Sequence, residues 1–252
     1  MYETIVLAGS VNEKELQEIS SDTYEAMIPI EGEPMVKYVL TALQSSPSVS
    51  SIVVVGPESL KSIHCPKIKT YIKSTGAVME NIKLALAEVG KENFLLMTTS
   101  DIPLLTPEAV EDFIQQSKNQ EGDFFYTIVA KEANEEFCPG IKRTYVKLKD
   151  GIFTGGNLFF FHPGIVDRCW TFFEKMVKLR KKPLQMCAIL GWIFIIRLVL
   201  GRLSIENLED RVSYLLGIKA KAIISPYAEV GIDVDKLDDY SAVTRLISGR
   251  KR

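Results

Sequence analysis

This chain has no closely paired cysteines and no long apolar run, and only two histidines. Its four cysteines, Cys65, Cys138, Cys169 and Cys187, include no C-x-x-C, and neither His64 nor His162 forms a ligand cluster with them, which argues against a zinc site. The formal net charge of −2 offers no global attraction to nucleic acid. No charged-then-apolar leader opens the chain, since Met1-Tyr2-Glu3 runs straight into a strand-like segment. Export is therefore not signalled, and reduced thiols in a cytoplasm are the expectation. Acidic residues are missing between Lys175 and Ile205, where seven basic residues stand. Within that block PLQMCAILGWIFII (183–196) has no charge at all. It is short of the about 20 residues that cross a bilayer, which leaves a buried helix or an interfacial one.

What is present fits one α/β domain. The 252 residues are 46% hydrophobic and 25% charged, enough for a sizeable core. β-Branched runs at 4–9, 51–56, 68–74 and 93–100 alternate with helical periods at 34–46 and 79–90. That alternation predicts a mostly parallel sheet covered by helices. Thr106, Pro107 and Glu108 write a helix start: N-cap, first-turn proline and first-turn acid. From 124 the pattern turns to strands, FFYTIVAK and KRTYVKLKDG, the latter leading through Lys-Asp-Gly into IFTGGNLFFFHP. Two more helices are expected next. A strand at 220–227 then returns, and the acidic turn GIDVDKLDDY enters a last helix.

LLMTTSDIPLL (95–105) delivers Asp101 at the carboxyl end of a buried strand, where open α/β sheets gather their ligands. It either caps the turn before Pro103 or holds a metal. Asp233 and Asp235 are two apart and project to the same side of an extended segment. If the last strand returns beside the central ones, one of them meets Asp101. Converging carboxylates repel unless a cation separates them, and hard oxygen ligands suit Mg²⁺ on a phosphate substrate. The bland alternative is that the late acids only charge a helix start.

Other segments carry polar chemistry. Backbone amides after Leu7-Ala8-Gly9 can cradle phosphate. Lys131, Lys142, Arg143 and Lys147 are candidate partners of an acceptor's phosphate. In a strand Arg143, Tyr145 and Lys147 share one face and Lys142 takes the other. Gly155 and Gly156, between Thr154 and Asn157, weaken a strand unless a bulge, a second backbone or a ligand comes close. With Asn157 as a hydrogen-bonding group they form a candidate acceptor floor. Lys178, Arg180, Lys181 and Lys182, with Trp192, Phe194, Arg197 and Arg202, suit an anionic membrane surface or a lipid-linked acceptor. A helical hairpin closing the core, or a homodimer interface, is the other reading.

VLAG, IPIEGEPMVKYVL, SDIPLLTPE, GGN and DVDKLDDY, in that order over 4–163 and 220–247, resemble the MobA-like NTP transferases. The resemblance implies a Rossmann-like (nucleotide-diphospho-sugar transferase, GT-A-like) fold, a mixed, mostly parallel sheet with helices on both faces. It implies a single nucleotidyltransferase-like domain over 1–252, with 164–219 as a helical insertion. It also implies Mg²⁺-dependent transfer of an NMP unit from an NTP, CTP or GTP favoured, to a small phosphorylated acceptor, releasing pyrophosphate. Asp101 and Asp235 match the metal positions, with Asp233 as second choice. Leu7, Ala8, Gly9, Ser10 and Ser100 match the nucleotide-binding stretches, and Ser74, Gly76 and Asn81 the part that reads the base. The family's first loop usually carries an arginine, and a lysine seven residues before the turn glycine. Here the loop is acidic, Glu25 stands seven before Gly32, and Lys14 is its one base. Lys14 is thus the candidate catalytic cation. Nucleotide-sugar glycosyl transfer and a nucleotide-binding regulator without catalysis are the rival functions.

Overall fold

The computed structural model describes residues 1–12, 14–179 and 182–250. Its strands and α-helices run β1 (Tyr2–Leu7), β2 (Pro29–Ile30), β3 (Glu33–Pro34), α1 (Met35–Ser45), β4 (Val49–Gly56), β5 (Ile68–Lys73), α2 (Val78–Ala87), β6 (Leu95–Thr99), α3 (Pro107–Lys118), β7 (Phe124–Ala130) and α4 (Lys131–Phe137). They continue with β8 (Val146–Leu148), β9 (Gly151–Phe161), α5 (Val166–Leu179), α6 (Pro183–Leu190), α7 (Trp192–Val199), α8 (Ile205–Leu216), β10 (Ala220–Ser225) and α9 (Leu237–Arg250).

The main sheet has the order β10-β7-β9-β6-β1-β4-β5, with β8 paired to β9. The β1–β4, β1–β6, β4–β5 and β10–β7 pairings are parallel, and β9 alone runs against its neighbours β6, β7 and β8. The alternating pattern predicts a mostly parallel sheet, and the mixed, Rossmann-like form is the one the family resemblance implies. Chain order reverses between β1 and β6, because β4 and β5 lie on one side of β1 and β6 on the other. The reversal opens a crevice at the carboxyl ends of those two strands.

Strand periodicity sorts the core into two layers. Val6, Ile52, Val54 and Leu96 face Val36, Val39 and Leu43 of α1 and Val110 and Phe113 of α3. Ile5, Val53, Val55 and Leu95 face the other way, onto Ala85 of α2 and Val166 and Cys169 of α5. With both faces covered, the strands read as unbroken apolar runs rather than alternating ones. Thr106 caps α3 as its sequence promises, accepting from the amide of Ala109 with Pro107 at the first helical position. Cys65, Cys138 and Cys169 are buried free thiols.

Four expectations are corrected. Residues 141–145 lie outside any strand, and only 146–148 pair, so the shared face of Arg143, Tyr145 and Lys147 does not exist. KEANEEF forms α4, which no apolar period announces. Among the described residues four α-helices, not two, lie between β9 and β10, and the uncharged stretch is broken into α6 and α7 at Gly191, whose φ of +122° suits glycine. Finally, β10 pairs with β7 at the edge of the sheet, not beside the central strands.

Candidate active site at the carboxyl edge of the sheet

Asp101 follows β6 at the crevice, and the late acids reach it by an excursion from the sheet edge. After β10 a short 3-10 turn, Ala228–Gly231, is tied down at three points. Buried Glu229 accepts from the Thr106 hydroxyl at 2.8 Å, Asn157 Nδ2 donates to the Val230 carbonyl at 3.2 Å, and the Val234 amide donates to the Asp101 carbonyl at 2.9 Å. These bonds bring one carboxylate oxygen each of Asp101, Asp233 and Asp235 within 4.8 Å of one another.

The electrostatics are strained toward a cation. Burial, then repulsion from Asp233 and Asp235, pushes the Asp101 carboxyl up to about 7, against the hydrogen bond it accepts from the Thr99 hydroxyl. On the far side Arg143 donates to the Asp233 carboxylate and to its backbone carbonyl, with its side chain only 7% exposed. Its guanidinium is also 4.0 Å from Asp239. Asp239 is buried, which raises its pKa against the pull of Arg143, and it accepts from the Asp235 amide at 3.2 Å. Burial and the charge on Asp233 push the Tyr126 phenol up to about 12.

The candidate nucleotide side is built around Gly9. A β-carbon there would lie 2.2 Å from Ser74 Oγ and 2.8 Å from Asn81 Nδ2, so the first loop presses against the β5–α2 loop. Asn81 donates to Ser74 Oγ at 2.9 Å and accepts from the Thr75 amide, while the Gly76 amide donates to Ser74 Oγ. The Asn81 amide thus holds its own loop together. Ala8 and Ser100 are bonded through backbone to Val55 and Leu7, and Ser10 is exposed. Asn12 organises the long first loop, donating to the carbonyls of Ser20 and Asp22. Lys14 opens a 3-10 turn, Lys14–Glu18, and its side chain lies outside the described part of the structure.

On the candidate acceptor side, the glycines answer to neighbouring side chains at a bulge. The β7–β9 register shifts between Tyr126 and Ile128. A β-carbon on Gly155 would lie 2.0 Å from Tyr126 Oη, and one on Gly156 2.2 Å from Thr127 Oγ1. Lys142 is exposed; Lys131 pairs with Glu135 at 3.3 Å and lies over the Tyr145 ring. Thr99 and Asp239 lie within the stretches LLMTTSDIPLL and DVDKLDDY, where sequence reasoning gives them no role, and Tyr126 has no motif of its own. A long loop with one buried asparagine is the only signal Asn12 offers.

The MobA-like NTP transferase domain profile matches residues 17–181. The chain belongs to the MobA-like NTP transferase family. Among solved structures, this MobA-like chain is similar to a hypothetical transferase from Thermus thermophilus, at 37% identity and TM-score 0.82, over 95% of this chain and 99% of that one. It shares its fold with CMP:2-keto-3-deoxy-manno-octonic acid synthetase in complex with CTP, at 13% identity and TM-score 0.65, over 99% and 100% of the two chains. The 4-diphosphocytidyl-2C-methyl-D-erythritol synthase of Anaerococcus prevotii shares it too, at 10% identity and TM-score 0.60, over 98% and 96%. No curated protein matches the sequence. The MobA-like profile ends within the helical block, so α6, α7 and α8 lie beyond it.

Proposed function

We propose that this MobA-like chain is a Mg²⁺-dependent nucleotidyltransferase. It moves an NMP unit from an NTP, with CTP or GTP favoured, to a small phosphorylated or lipid-linked acceptor. The acceptor phosphate oxygen forms a bond to the α-phosphorus, the bond from that phosphorus to the β-phosphate bridge breaks, and pyrophosphate leaves. The observation that carries the reading is the meeting of Asp101, Asp233 and Asp235 within 4.8 Å. Three hard-oxygen ligands, one of them driven to about 7 by its burial and then by its acidic neighbours, fit a divalent cation.

Asp101 and Asp235, with Asp233 beside them, would hold Mg²⁺, which when bound neutralises phosphate charge. The protein's own work is positioning. The backbone from Leu7 to Ser10 and Ser100 borders the triphosphate, and Ser74, Gly76 and Asn81 shape the wall toward the base. Lys14 supplies the loop's positive charge. Gly155, Gly156 and Asn157, with Lys131, Lys142 and Arg143, form the acceptor side, and Arg143 also orients the acid-bearing turn through Asp233. The whole chain acts as one domain in a cytoplasm, with 164–219 as a helical insertion that offers a membrane contact or a homodimer interface.

Pyrophosphate release measured with each of the four NTPs and Mg²⁺ tests the reading. One NTP turning over in the presence of an acceptor supports it. A second reading, a nucleotide-binding regulator, draws on Glu25 standing where the family's lysine is expected. Thermal stabilisation by an NTP without pyrophosphate release selects it.

A further inference from the structure

We infer that the outward face of α7 docks on an anionic membrane surface. The helix is apolar on both sides. Inward, Phe194 is buried with Leu190, Leu203 and Phe153, and Ile195 and Leu198 pack beside them. Outward, Trp192 and Val199 are each 72% exposed, and Ile193, Ile196 and Leu200 are exposed between and after them. Those five positions cover about 120° of the helix circumference at 100° per residue, a continuous stripe rather than scattered residues. Water is a poor neighbour for such a stripe, so it marks a contact surface.

Charge chooses the occupant. From Lys175 to Ile205 the chain has seven basic residues and no acidic one, within a protein of formal net charge −2. Of these, Lys182, Arg197 and Arg202 are exposed on the same segment as the stripe. Glu174, at the border, is paired to Lys178 at 3.0 Å. An apolar stripe with a tryptophan, on a segment whose charges are all basic, matches the interface of a bilayer containing anionic lipid. No described helix is long and apolar enough to cross a membrane, so the contact lies along the surface. Phe194, on the inner side of α7, shares a buried cluster with Phe153, one residue before the Thr154-Gly155-Gly156 stretch. Docking therefore sets the candidate acceptor strand close to the membrane. The docking claim itself does not depend on the nucleotidyltransferase reading.

Flotation of the full chain with phosphatidylcholine vesicles, and with vesicles also containing phosphatidylglycerol, tests the inference. The expected result is flotation with the anionic vesicles at low salt, accompanied by a blue shift of tryptophan emission that Trp192→Phe removes. Trp192→Glu combined with Val199→Glu abolishes it, and Arg197→Glu combined with Arg202→Glu weakens it at least about tenfold. All four positions are exposed, and circular dichroism checks that the variants fold. Failure of the wild-type chain to float with anionic vesicles overturns the inference, as does equal flotation of the variants. So does a wild-type dimer by light scattering that ignores vesicles and becomes monomeric in the Trp192→Glu, Val199→Glu variant, because a second copy then covers the face. NTP binding, measured separately, is unaffected by any of these outcomes.

Discussion

At the carboxyl edge of the sheet three carboxylates are held together although they repel; on α7 five apolar side chains are held in water although burial would stabilise them. Both regions run against ordinary burial and charge pairing, and such breaks concentrate at working surfaces. They differ in how the break is made. The acidic site is assembled from residues more than 130 positions apart, through Glu229, Asn157, Val234 and Arg143. The α7 stripe is written into nine consecutive residues, 192–200. The first should be sensitive to changes far from the carboxylates, and the second should tolerate change without loss of fold.

The largest expected effect is on chemistry. Asp101→Asn or Asp235→Asn lowers nucleotidyl transfer by about 100-fold or more, measured as pyrophosphate release. Above about pH 7 the metal-free Asp101→Asn protein is no less stable in a thermal melt, because the amide removes a charge that Asp233 and Asp235 repel. Arg143→Met removes the buried guanidinium that Asp233 and Asp239 share and costs about 3 kcal/mol in urea denaturation. Gly155→Ala forces a β-carbon onto the Tyr126 hydroxyl and costs about 1–3 kcal/mol. Tyr126→Phe in the same chain recovers part of that loss, since the hydroxyl is the atom in the way. Smallest is Trp192→Glu, which changes the stability of the isolated chain by less than about 0.5 kcal/mol. A loss there as large as that of Arg143→Met would erase the contrast between the two regions.

The frame was legible because both of its signals are local. Unbroken β-branched runs mark the strands and period-3.6 apolar spacing the helices, and Thr106-Pro107-Glu108 marks the start of α3. The i, i+2 spacing of Asp233 and Asp235 points to convergence on Asp101. The route by which they arrive was not legible, since β10 sits at the sheet edge and the return is made by a turn pinned through side chains. Residues 141–145 alternate like a strand but find no partner strand, which leaves Arg143 free to turn inward on Asp233. KEANEEF is mostly polar, so α4 shows no apolar period. Gly191 breaks the uncharged stretch only through a backbone angle that composition does not express.

Whether Asp101, Asp233 and Asp235 form a divalent-cation site is decided by the thermal midpoint against pH, with chelator and with Mg²⁺. In the metal-free folded chain Asp101 keeps its proton up to about 7, whereas the unfolded chain releases it near 3.8. The folded state therefore binds more protons between those values, and its stability falls as pH rises through them. Mg²⁺ should restore the lost stability above about pH 7, and Asp101→Asn should show neither its share of the fall nor the restoration. A wild-type midpoint that Mg²⁺ leaves unmoved at alkaline pH, or an Asp101→Asn chain that responds to Mg²⁺ equally, would contradict the account.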